Sequence, residues 1–210
     1  MTTTRTLITD ALRKIGVAAH DEAPDADMIV NGLRAFNRFA RALQNRGANL
    51  WAYSSLSLPC AAAASQTLAV RPLEILSCRF ARDGIETTMQ PMTREEYDRL
   101  PVKTATGTPT TYYFDRQRAT VRLLVWPVLA LAAGETLEIS YVREFTAADL
   151  DDAPDIPAEF EDAVIYGLAA RLADDYMVAA PGVIARAEEE LRLALAYDRE
   201  GSIFFAGPYA

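Results

Sequence analysis

The sequence predicts an α+β protein that is mainly an α-helical bundle, built from helices at both ends of the chain, with a small antiparallel β region inserted between them. Apolar residues recur with helical spacing in residues 1–50 and 149–200. Short runs rich in β-forming residues occupy residues 51–148. The last ten residues, 201–210, form an apolar tail without a helical period. We therefore expect an N-terminal helical hairpin, a β-rich insertion, a C-terminal helical hairpin that completes the bundle, and a docking tail.

The N-terminal hairpin is predicted from about residue 3 to residue 46. Gly16 follows the apolar stripe of the first helix, where a C-terminal glycine cap belongs. Pro24 and Asp25 open the second helix, and Gly47 follows its end. The stripe of that second helix consists of Ile29, Leu33, Phe36, Ala40 and Leu43.

The inserted region shows short alternating runs and turn signals. Thr93 and Glu96 form a capping box, which predicts a short helix over about 94–100. The Ala61–Ala64 stretch is typical of a loop. The predicted strands are residues 53–58, 73–80, 110–114, 120–126 and 137–141.

The C-terminal hairpin is the part around which the rest is organised. Pro157 suits the first turn of a helix that is apolar on nearly all sides, and such a helix must be covered by more than one neighbour. A second helix is predicted to begin near Pro181. Small residues allow another backbone to come close, so we predict that Gly167 and Ala170 lie at a partner contact.

Composition limits the classes of function. The 210 residues include 29 acidic and 21 basic side chains, a net charge of −8, which argues against a surface that grips phosphates. No apolar run approaches the roughly 20 residues that span a bilayer, and the start of the chain lacks a signal peptide, so we expect synthesis in the cytoplasm. The two cysteines, Cys60 and Cys78, are expected to be buried thiols.

Seven stretches, spread over most of the chain, form a familiar pattern: Leu12–Val17, Ala35–Arg38, Leu43–Trp51, Arg122–Val128, Leu137–Tyr141, Ile156–Ala163 and Tyr166–Ala173. Together they resemble the phage head-to-tail adaptors, also called tail accessory factors or packaged-DNA stabilisation proteins. Gly167 departs from that pattern, which has asparagine at this position.

The resemblance implies a structural protein of the head–tail junction of the virion. It implies a homo-oligomeric ring of about twelve copies below the portal, which extends the DNA channel, retains packaged DNA and attaches the tail. The implied partners are other copies of the chain, the portal protein and tail or nozzle proteins, with non-specific proximity to DNA and no membrane.

A virion-associated cell-wall hydrolase is the alternative. It would use a carboxylate pair, Glu159 with Asp174 or Asp175, as glycoside hydrolases do. These residues have the neighbours of ordinary helix surface. We therefore expect no enzyme activity, no catalytic residue and no cofactor.

Other chemistry-bearing residues favour structural roles. A nucleophile and base pair of Cys78 and His20 is not supported by their spacing. One histidine and two separated cysteines do not suit a zinc site, and the aspartates at 151, 152 and 155 lack the spacing and glycine of a calcium loop. The arginine row (Arg34, Arg38, Arg41) is expected to be a solvated face or to form salt bridges between subunits, with contact to DNA or to an acidic partner surface as the alternative. The aromatic residues at 112, 113, 126 and 141 are expected to be strand core, with base stacking as the alternative.

The tail is the clearest candidate for binding another protein. Exposed aromatic side chains at a terminus are unfavourable without a partner. We therefore predict that the tail docks on a neighbouring subunit through Ile203, Phe204, Phe205 and Tyr209.

Overall fold

The computed structural model describes residues 2–47, 50–118 and 120–197. The chain is 38% helical and 26% strand, and the described residues form five α-helices and two four-stranded sheets. The prediction of a mainly helical bundle with a small β region is therefore wrong, although the α+β class holds. Part of the strand content that the sequence did not predict lies in Ile85–Thr88, whose residues are all exposed. An exposed strand has no apolar alternation, so its sequence pattern does not reveal it.

The helices of the described chain lie at both ends, with one short helix between them. They are α1 (Thr4–Lys14), α2 (Ala26–Asn45), α3 (Arg94–Asp98), α4 (Glu161–Asp175) and α5 (Pro181–Tyr197). Short 3₁₀ turns occupy Leu50–Ala52 and Ala158–Phe160.

Eight strands form the two sheets. They are β1 (Tyr53–Pro59), β2 (Ser65–Thr67), β3 (Pro72–Arg82), β4 (Ile85–Thr88), β5 (Gln90–Pro91), β6 (Thr111–Arg116), β7 (Val121–Trp126) and β8 (Thr136–Arg143). The strand orders are β1-β8-β3-β4 and β2-β7-β6-β5. The named strand pairs are antiparallel except β5 with β6, which is parallel.

The chain divides into two compact units. One comprises Met1–Trp51 with Phe145–Ala210, and the other comprises Ala52–Glu144. The four-part division proposed above, with boundaries at residues 50, 148 and 200, stays a prediction.

Helix α4 is the centre of the helical unit. It packs against α1, α2 and α5, and eight of its residues are buried: Ala163, Val164, Ile165, Gly167, Leu168, Ala169, Leu172 and Ala173. The prediction of a helix covered on several sides is confirmed. Close approach also occurs between α1 and α2, because a Cβ at Gly32 would overlap the side chain of Ile8.

The segment before α4 is held onto the N-terminal helices by hydrogen bonds. Asn37 clamps the backbone of Ala148, whose N–H donates to Oδ1 at 2.9 Å while Nδ2 donates to its carbonyl at 3.2 Å. The buried Gln44 accepts the N–H of Phe145 through Oε1 at 2.7 Å. The backbone N–H of Thr4 donates to the carbonyl of Asp152 at 3.1 Å. These contacts join the two chain ends into one helical unit.

The two sheets of the β unit share one apolar core. It takes side chains from both, including Phe80 and Ile139 of one sheet and Leu123 and Val125 of the other. Thr93 and Glu96 make the expected capping box at the start of α3. Across both units, no helix in the described ranges is long and apolar enough to cross a membrane.

Candidate functional site

The carboxylates considered for hydrolysis are not brought together. Glu159 lies in the 3₁₀ turn before α4, whereas Asp174 and Asp175 lie at the end of that helix. A helix of 15 residues separates them by about 22 Å. That distance is too long for two carboxyl groups that flank one glycosidic bond.

Cysteine chemistry is disfavoured by burial. Cys78 is fully buried in the β unit, and this burial raises the pKa of its thiol to about 12. Burial also raises the pKa of the Cys60 thiol. The thiolate is the nucleophilic form, so neither cysteine is poised to react. His20 lies in an exposed turn, and no group of three metal-ligating side chains occurs among the described residues.

The residues considered for DNA contact take ordinary structural places. Arg34, Arg38 and Arg41 are exposed on α2. Tyr112 and Tyr141 are buried in the β core, as the strand-core interpretation expects.

An open groove lies on the helical unit where α2, α4 and α5 meet, and we call it the α4 groove. Its volume is about 270 Å³. Apolar side chains form much of its lining, among them Phe39, Ala187 and Leu191, and Ile184 at its edge is 43% exposed. Both small residues singled out from the sequence, Gly167 and Ala170, line it as well.

Gly167 lets α2 and α4 come close. A Cβ at this position would lie 2.7 Å from Cε2 of Phe39, which is closer than real Cβ atoms approach a neighbour. The helix that Gly167 meets therefore belongs to the same chain. Ala170 is half-buried and lines the groove. A contact between a second chain and this groove surface stays a prediction.

Two arginines give the α4 groove a positive side. The guanidinium of Arg171 lies 4.9 Å from the centre of the Phe39 ring, a cation–π distance. Burial, and then the charge of the neighbouring Arg46, lower the pKa of Arg171. Neither arginine forms an ion pair with any residue in the described ranges. Asp174 and Glu188 also line the groove without pairing to them.

This arrangement can bind another molecule. Two neighbouring guanidinium groups without a carboxylate partner favour an acidic group on another molecule. The apolar lining favours an apolar side chain beside it. The α4 groove therefore has the chemistry of a protein–protein contact.

Sequence reasoning missed three of the groove residues. Phe39, Arg46 and Arg171 were not singled out, because their grouping depends on how α2 crosses α4. A partial signal was present, since Arg171 follows Gly167 by four residues and so lies on the same helix face. The predicted docking residues Ile203, Phe204, Phe205 and Tyr209 lie outside the described residues.

Comparison with known proteins identifies the family. The chain matches the family model described as SU10 adaptor protein over residues 2–203, which is nearly its full length. A search of curated proteins found no match. The resemblance to phage head-to-tail adaptors is confirmed by the family match, and the chain belongs to the SU10 adaptor protein family of phage adaptors.

Proposed function

We propose that this phage adaptor forms a homo-oligomeric ring of about twelve copies at the head–tail junction of the virion. The ring lies below the portal, extends the DNA channel, retains packaged DNA and carries the tail or nozzle proteins. The observation that carries the ring is the α4 groove, with its two arginines that have no ion-pair partner among the described residues.

An acidic loop on the same unit supplies a matching surface. Asp21, Glu22, Asp25 and Asp27 are exposed around the start of α2, and no ion pair joins them to another described residue. We place this loop of one copy against Arg46 and Arg171 of the next. A contact between two different surfaces is heterologous, and repeated heterologous contacts form a ring when the rotation between successive copies closes.

The overall charge agrees with a channel through which DNA passes. The net charge is −8, and a strongly basic lining would hold phosphates through many ionic contacts. An acidic ring exerts little such attraction. DNA retention is then steric, performed by the ring together with the proteins below it.

The mass of the purified particle tests this proposal. Arg46→Glu reverses one charge in the α4 groove, and Arg41→Glu makes the same change on the exposed face of α2 as a matched control. We expect the ring mass to be lost in Arg46→Glu and kept in Arg41→Glu, with both variants folded by circular dichroism.

A charge swap then tests the pairing. Adding Asp21→Arg and Glu22→Arg to the Arg46→Glu chain exchanges the two signs across the contact, so we expect assembly to return. Equal assembly by Arg46→Glu and Arg41→Glu would overturn the proposed contact.

A further inference from the structure

The β unit also contains an open cleft. Its volume is about 560 Å³. One wall is formed by residues 74–77 of β3, the opposite wall by β6 residues that include Tyr113, Phe114 and Arg116, and the base by residues 88–92. We call it the β cleft. Met89 at its base is buried, whereas Leu76 at its rim is 45% exposed.

Both walls of the β cleft are strand edges that no described strand pairs with. Strand β4 pairs with β3 only from Arg79 to Arg82. Residues 74–77 therefore have β8 on one side, with a register shift between Ile75 and Ser77, and no strand on the other side within the described chain. Strand β5 pairs with β6 only at Thr111 and Tyr112, so residues 113–116 are open in the same way. Open edges present N–H and C=O groups to an added strand.

The shape of the cleft selects a free segment as its occupant. A strand that already belongs to a sheet carries neighbouring strands about 4.8 Å away, and these would collide with the opposite wall. Each open edge is four residues long, about 13 Å of extended chain. Outside the described ranges, only residues 198–210 provide a stretch longer than two residues.

The chemistry of that stretch fits the cleft. Residues 201–206 carry no charge and include Ile203, Phe204 and Phe205, which favour extended structure. Neighbouring side chains of a strand point to opposite faces, so the two phenylalanines can contact different surfaces. The rim already holds aromatic contacts: the Arg116 guanidinium lies 5.3 Å from the centre of the Phe114 ring.

We infer that residues 201–206 of one copy bind as an added β-strand in the β cleft of a second copy. The assignment of a second copy rests on the proposed ring, because a tail-to-cleft contact is heterologous and so repeats from one copy to the next. It gives three of the four predicted docking residues, Ile203, Phe204 and Phe205, a specific receptor in the two open edges of β3 and β6.

One pair of substitutions tests the receptor. Leu76→Glu places a charge at the rim of the cleft, and Ile85→Glu makes the same kind of change on β4, where Ile85 is 71% exposed and does not line the cleft. Tail binding should weaken at least about tenfold in Leu76→Glu, because an unpaired carboxylate is costly to bury. Ile85→Glu should bind like the parent chain.

A complementation experiment separates this contact from the groove contact. Both chains carry Arg46→Glu, so that association through the α4 groove does not contribute to the result. One chain adds Leu76→Glu and keeps its tail, while the other adds Phe204→Asp with Phe205→Asp and keeps its cleft. We expect a one-to-one pair in the mixture and monomers of each chain alone. Amide hydrogen exchange should slow at residues 74–77 and 113–116 of the second chain only.

The outcomes distinguish the two proposals. If no pair forms while the unmodified chain still assembles into a ring, the tail-to-cleft contact is wrong and the ring stands. If the pair forms while the unmodified chain gives no ring, the contact stands and the ring is wrong. Slow exchange of the cleft edges in isolated, fully monomeric chains that keep their own tail and cleft would mean that each tail occupies its own cleft, which overturns the assignment of a second copy.

Discussion

Gly167 lies directly against the ring of Phe39, and Arg171 covers the same ring from the next turn of α4. The absence of a side chain at Gly167 lets the ring reach the helix backbone. The ring in turn supports the guanidinium of Arg171 beside Arg46. One small residue thus positions both the helix contact and the charged side of the α4 groove.

Enlarging Gly167 should destabilise the helical unit. Gly167→Leu forces the Phe39 ring away from α4, and overpacking of this kind costs about 1–3 kcal/mol. Gly182→Leu is the matched control, since a Cβ there meets nothing within 4 Å. Denaturant unfolding measures both variants. Equal stability of the two would show that the ring moves aside without cost.

The clamp made by Asn37 gives a second stability prediction. Asn37→Ala leaves the backbone N–H and carbonyl of Ala148 without their side-chain partner, at a cost of about 1–3 kcal/mol. Asn31→Ala changes an exposed asparagine of the same helix and should stay within about 0.5 kcal/mol of the parent chain. The free energy of unfolding of both variants is measured. A smaller loss of stability in Asn37→Ala than in Asn31→Ala would show that the Asn37 hydrogen bonds do not stabilise the helical unit.

Stability should fall in alkaline solution because of Cys78. The folded chain keeps this thiol protonated up to a pKa of about 12, whereas the unfolded chain loses the proton near 9.0. Between these values the folded state binds more protons, so the free energy of unfolding decreases as pH rises. Urea unfolding of the parent and of Cys78→Ala at several pH values measures the difference. The decline should be shallower in Cys78→Ala, and parallel curves would contradict the assignment.

Removal of the tail should affect attachment and leave the fold intact. Deleting residues 201–210 removes Phe204, Phe205 and Tyr209 without touching the described cores. We expect an unchanged melting temperature and weaker binding of the adaptor to capsids that carry the portal. Full-strength capsid binding by the truncated chain would show that the tail does not contribute to capsid attachment.

The helices were predictable because their signals are local. Pro181 is the first residue of α5, Pro157 precedes the 3₁₀ turn that leads into α4, and the stripe from Phe160 to Leu172 has a clear helical period. Much of the β unit is harder to predict from the sequence. The stretch Ala61–Ala64 is a loop, as its sequence predicts, but the sequence does not reveal that the buried side chain of Gln66 holds it by accepting the N–H of Ala61 and donating to the carbonyl of Ala63. Such a contact depends on folding that the local pattern does not contain.

The candidate site was predictable only in part for the same reason. Small residues at 167 and 170 indicated a close contact, since their size alone permits it. The partner ring of Phe39 and the pairing of Arg46 with Arg171 arise from the crossing of two helices that are more than 100 residues apart in sequence. The two open edges of the β cleft likewise follow from how far β4 and β5 extend, which composition does not reveal.

The mass and image of the particle formed by the purified chain with a portal-bearing capsid test the central claim most directly. The account predicts a ring of about twelve copies attached below the portal, and the loss of that ring in Arg46→Glu but not in Arg41→Glu. A stable monomer that does not associate with the portal under virion-like conditions would contradict it.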